Sequence, residues 1–186
     1  ENLVNNHHNY MHLKAEELLN IWKQSAEHGN NVHKQIEEFI ENKIQVTESK
    51  AVNGINWLNK LMYGVNHSLY TEEIIYSEEL RIAGSVDLLI KLNDINEYII
   101  VDWKTNKKID KKSFNNKMGT HTITKSIEDC KYNKYAFQLS LYRYILEEYY
   151  GFTINKQILA HLTNDGVRGY LTPYYKDHIS KISKNR

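Results

Sequence analysis

The chain has 186 residues, 41% of them apolar and 25% charged, and its 24 Lys and Arg against 23 Asp and Glu leave a formal net charge of +1. That length suits one domain with a sizeable core, and the charge balance excludes a global basic field, so affinity for a polyanion must come from local patches. A single cysteine, Cys130, excludes a disulfide framework, a four-cysteine zinc site and a four-cysteine iron–sulfur cluster within this chain, and it fits a reducing, intracellular home.

No apolar run approaches the roughly 18 residues of a membrane span, so no membrane partner is expected. The start, ENLVNNHHNYMH, lacks the basic-then-apolar order of a signal peptide, and without an initiator Met it reads as a piece of a longer protein. His8 and His12 stand four apart, a helical spacing for a metal pair, but no glutamate completes H-E-x-x-H.

Residues 1–68 read as a helical part. LKAEELLNIWKQSAEHGN places Leu13, Leu18, Leu19 and Trp22 on one stripe and meets Gly29 as a stop. NVHKQIEEFIENK then starts a new helix, with Asn30 or Asn31 as N-cap and Val32, Ile36, Phe39 and Ile40 on one face. VNGINWLNKLMYGV follows as a shorter helix or loop.

From residue 69 the period changes, and residues 69–175 read as sheet and helix. LYTEEIIYSEELRIAG is a strand, a turn near Ser77 and Glu78, and the beginning of a second strand. SVDLLIKL and EYIIVDWK are strands flanking NDIN, a turn cluster. Residues 105–131 are polar and irregular, longer than a structureless loop usually runs. YNKYAFQLSLYRYILEEYYG is a helix ending at Gly151, and KQILAHL and VRGYLTPYY close the chain as strands around TNDG. The order predicts an α/β or α+β core around a mixed sheet in a single domain spanning 1–186. The sequence has no phosphate-cradling or dinucleotide-binding glycine loop.

The NDIN hairpin carries the chemistry. A four-residue loop at 93–96 pairs Leu92 with Glu97 and Ile90 with Ile99, and extends to place Asp87 opposite Asp102. Strand alternation adds Lys104 to the same face. Two opposed carboxylates repel unless something compensates them, and a hard divalent cation, Mg²⁺ or Mn²⁺, would do so with oxygen ligands from two strands. The plainer alternative is an ordinary Asp102–Lys104 ion pair with Asp87 capping a turn after Gly84.

Four pieces occur in order: His33 on a helix, Gly84 to Asp87, Asp102 to Lys104, and Gln138 to Tyr142 on a helix. Together they resemble the pattern of the RecB-like branch of the PD-(D/E)XK nuclease superfamily, which includes viral, mitochondrial genome-maintenance and CRISPR-adaptation exonucleases. The resemblance implies an α/β restriction-endonuclease-like core, a central mixed sheet flanked by helices. It also implies one or two Mg²⁺ or Mn²⁺ ions and hydrolysis of DNA, as an exonuclease on single-stranded or flapped ends in replication, repair or recombination. A larger replication or recombination complex is an expected partner.

By the same resemblance Asp87, Asp102 and Lys104 are catalytic. The metal falls to His33, Asp87, Asp102 and the main-chain carbonyl of Trp103. Glu72, on the strand before the hairpin, and Glu37, one turn beyond His33, are candidates for support around the metal. Gln138, Tyr142 and Tyr135 share a helix face and would meet substrate. Lys107 and Lys108, in KTNKKIDKK, would grip phosphates and make binding salt-sensitive; a solvated loop is the equal alternative. An endonuclease of the same superfamily, or a catalytically silent relative that only binds nucleic acid, remains the alternative reading.

Overall fold

Long apolar runs in the middle strands imply a sheet covered on both sides, and the computed structural model has that arrangement. It describes Val4 and residues 10–184. His8 lies outside the described residues, and with it the His8–His12 pair.

Helix α1 (Ala15–Asn42) and helix α2 (Ser49–Leu61) precede strands β1 (His67–Ser77), β2 (Ile82–Leu92) and β3 (Glu97–Lys104). Helix α3 (Lys131–Tyr150), strands β4 (Ile154–Thr163) and β5 (Gly166–Leu171), and helix α4 (Lys176–Lys184) follow. The sheet order is β1-β2-β3-β4-β5. β3 and β4 are parallel, joined by the α3 crossover, and the other neighbours are antiparallel. This is the mixed sheet the element order predicted.

Two apolar layers sandwich the sheet. On one side Val32 and Ile36 of α1 and Ala51, Ile55 and Leu58 of α2 pack on Leu88, Ile90, Val101 and Trp103. On the other, Leu139 and Leu146 of α3 pack on Val86, Leu89, Ile100 and Leu159. Burial on both faces explains why Ile99, Ile100 and Val101 run together without polar alternation.

Several local expectations change. α1 runs unbroken through Gly29, so Gly29 is no stop and Asn30 and Asn31 are no cap. A β-carbon at Gly29 would sit 3.1 Å from Thr105 Oγ1, so the glycine permits close approach of the segment after β3. The expected stripe on the first half of α1 is also mostly outside: Leu18 is buried, whereas Leu19 is 62% exposed and Trp22 42%. Residues 52–65, left open between helix and loop, supply most of α2. Gly151 closes α3 in the left-handed conformation, φ 71°, as expected.

Candidate active site

The NDIN hairpin forms with the expected register, Leu92 opposite Glu97 and Ile90 opposite Ile99. The β2–β3 ladder ends at Leu88 and Val101, one pair short of Asp87 and Asp102. On the other side of β2, the β1–β2 ladder skips Glu72, whose register places it opposite Asp87. Glu72 is held at φ 48°, a left-handed conformation that costs a non-glycine residue about 1–2 kcal/mol. The packing slips here too: Val86 belongs to the α3 side, Leu88 to the α1–α2 side. The sheet is thus disrupted along one row, Glu72–Asp87–Asp102, and that row is acidic.

The disruption corrects the simple picture of two acids opposed on one face. Asp87 Oδ2 accepts the Trp103 N–H at 2.7 Å, filling the place a strand carbonyl would take between β2 and β3. His33, from α1, brings Nδ1 to 3.6 Å from the same oxygen. Ser85, two residues before Asp87, donates its hydroxyl to Glu72 Oε2 at 2.5 Å. His33, Glu72 and Asp87 each offer a donor atom, all within 4.8 Å of one another.

Asp102 stands outside that trio. It is 3% exposed, and its Oδ2 lies 2.6 Å from Lys104 Nζ. The ammonium approaches at an angle that leaves Oδ2 without a well-formed hydrogen bond. Lys104 Nζ also lies 5.0 Å from the centre of the Tyr135 ring, a cation–π contact. The Asp102–Lys104 ion pair foreseen in the plainer alternative therefore exists, but Asp87 does not cap a turn: it faces His33 and Glu72.

The electrostatics follow from burial. Desolvation pushes Asp87 and Asp102 up to about 6, with Lys104 pulling each back down. For Asp87 the Trp103 N–H also pulls down while Glu72 pushes up, and for Asp102 the charge of Asp87 pushes up. Burial also lowers His33, aided by Lys104, so the imidazole is neutral near pH 7 and keeps a lone pair for a metal. Lys104 is held above its ordinary value: burial opposes its charge, but Asp102 and Asp87 outweigh that.

One neutral imidazole and the carboxylates of Glu72 and Asp87 form a nitrogen-and-oxygen donor set, and burial raises Asp87 and the neighbouring Asp102. These residues fit a divalent cation.

The remaining candidates fall into place around this centre. The Trp103 side chain is core, 2% exposed and edge-on to Trp57, while its backbone hydrogen-bonds His33 as well as Asp87. Glu37 makes no hydrogen bond to His33; burial and the charges of Glu41 and Glu72 raise it, so it faces the acids. Tyr135 donates to Asn106 Oδ1 at 2.8 Å and flanks Lys104. Gln138 donates to the Tyr142 hydroxyl at 3.2 Å. A β-carbon at Gly84 would meet the Tyr142 ring at 2.8 Å, so this glycine exists to seat that tyrosine. Lys107 and Lys108 are exposed beyond the end of β3, and Lys108 pairs with Asp110 at 2.5 Å. Ser85 and Asn106 escaped the sequence reading; only same-face spacing from Asp87 could have flagged the serine.

No helix among the described residues is long and apolar enough to cross a membrane. The search of curated proteins finds no match to the chain. Among solved structures, a candidate exonuclease from Eubacterium rectale aligns at 16% identity and a TM-score of 0.46, over 87% of this chain and 64% of that one. The protein SSO0001 aligns at 17% identity and a TM-score of 0.35, over 84% of this chain and 72% of that one. The chain thus spans less than two thirds of the length of the first of these. Residues 5–162 match the family model of the PD-(D/E)XK nuclease superfamily, and the chain, with its five-stranded mixed sheet flanked by helices in a restriction-endonuclease-like α/β core, belongs to that superfamily.

Proposed function

We propose that the protein is a Mg²⁺- or Mn²⁺-dependent deoxyribonuclease of the RecB-like kind, acting as an exonuclease on single-stranded or flapped DNA ends. The observation that carries this reading is the trio His33, Glu72 and Asp87 beside the buried Asp102–Lys104 pair.

Hydrolysis adds water across one P–O ester bond and leaves a phosphate monoester and an alcohol. His33, Glu72 and Asp87 would hold the cation, with Asp102 and the Trp103 carbonyl beside them. Bound there, it would supply Lewis acidity toward the phosphate and toward the attacking water. Lys104, kept protonated by two carboxylates, would steady the negative charge that builds on the phosphate oxygens. Tyr135 presents its ring to the lysine ammonium, and the Trp103 N–H fixes the Asp87 carboxylate so that it does not turn away. His33 is presented neutral, so no proton has to leave it before it ligates.

The test is incubation of end-labelled single-stranded DNA with the protein in Mg²⁺, Mn²⁺ or chelator. Metal-dependent shortening from one end supports the reading, and products identical with and without chelator refute it. A covalently closed single-stranded circle should survive; its digestion would replace the exonuclease by an endonuclease.

A further inference from the structure

We propose that a groove at the ends of β3, β4 and β5 is the track along which a single nucleic-acid strand runs to or from the acids, with Lys107 and Arg168 holding its phosphates. The inference rests on the nuclease reading above and assigns that site a strand path.

The groove is continuous with the candidate active site through the sheet itself. Lys104 is the register partner of His161 on β4, and His161 is the partner of Arg168 on β5. One row of the sheet therefore leads from the active-site lysine to an exposed arginine, two interstrand spacings or roughly 10 Å away. Lys107, Lys108, His161, Arg168 and Tyr170, with one acid, Asp165, are among the residues that line a groove of about 560 Å³ there.

Its architecture is fixed from beneath. His161 is 6% exposed, and its Nε2 donates to the Asn106 carbonyl at 2.6 Å, pinning the segment after β3 over the groove floor. Lys50 Nζ donates to the neighbouring Thr105 carbonyl at 3.0 Å. The two lysines that follow are thus presented from an anchored segment.

Charge and ring supply the recognition. Lys108 is tied to Asp110, but neither Lys107 nor Arg168 has a carboxylate within ion-pair distance among the described residues. Tyr170 lines the same groove, and the Lys111 ammonium lies 4.5 Å from its ring centre and 5.2 Å from that of Tyr132. Unpaired cations beside an aromatic face suit a phosphate backbone with a base laid on the ring. A ring in the groove takes an unpaired base, which a single strand offers and a stacked duplex does not.

The experiment is fluorescence anisotropy of a labelled oligothymidylate of about 20 nucleotides over a salt series in chelator, which prevents cleavage. The Lys107→Gln/Arg168→Gln double variant should bind roughly tenfold more weakly, with a salt slope shallower by about 1.4, two phosphate contacts' worth. Lys60→Gln, a single positive charge removed on α2, should bind like wild type. Equal affinity and slope in the double variant, or an equal loss in Lys60→Gln, would overturn the track. A wild type that cleaves DNA while the double variant binds normally refutes the track alone; a wild type that neither binds nor cleaves removes the nuclease reading with it. Photocrosslinking of wild type to a 4-thiothymidine strand needs no variant: adducts should fall on residues 166–171, and adducts only elsewhere would contradict the path.

Discussion

Glu72 is the residue at which fold and chemistry meet. Its left-handed backbone interrupts the β1–β2 ladder opposite Asp87 and turns a glutamate toward His33 and Asp87. Strain of this kind persists only where the surroundings impose it, and here it points to a ligand role. Glu72→Gly should remove the strain, so chemical denaturation should show stability within about 1 kcal/mol of wild type, while Mn²⁺ no longer raises the melting temperature. A large stability loss with metal protection intact would mark Glu72 as merely structural. Lys104→Ala should retain oligonucleotide binding and lose nearly all cleavage, measured with end-labelled DNA under saturating metal. The sequence pattern singled out Asp87, Asp102, Lys104 and His33, because acids in an apolar strand and ordered motif pieces are visible in one dimension. It could place Glu72 only at the margin, since nothing in YTEEII announces a residue at φ 48°.

At the scale of elements, the hairpin was the readable part. NDIN set its own register, and Gly151 announced the end of α3. Gly29 misled because a glycine within a helix costs only about 1 kcal/mol, which the packing of Val32 and Ile36 offsets. Leu19 and Trp22 misled because periodicity identifies an apolar stripe but not whether anything covers it. The end of the β2–β3 ladder at Leu88 was not legible either, for it depends on the Asp87 carboxylate taking the Trp103 N–H. Gly84 shows the same dependence on tertiary contact. Gly84→Ala should force the Tyr142 ring aside and destabilise the fold by about 1–3 kcal/mol in urea unfolding, and Tyr142→Ala should absorb part of that penalty in the double variant. Additive losses would show that the two do not touch.

Across the whole molecule, the site sets a dependence of stability on pH and metal. Asp87 and Asp102 titrate near 6 in the folded protein, against an ordinary value of 3.8. The folded state therefore holds their protons more tightly than the unfolded chain does, and their contribution is fully present below about 4. It is lost as pH rises through 6. Without metal, wild type should lose more stability between about pH 4 and pH 7 than Asp102→Asn does, read from denaturant midpoints; parallel curves would contradict the assignment. A divalent cation should reverse this trend, because it binds the ionised carboxylates. The central claim is thus a cation site built from His33, Glu72 and Asp87 with Asp102 beside them. It is tested most directly by calorimetric titration of Mn²⁺ into wild type, Glu72→Gln and Asp87→Asn at neutral pH. The account predicts saturable binding in wild type, weakened at least roughly tenfold in each variant. Indistinguishable isotherms for the three proteins would contradict it.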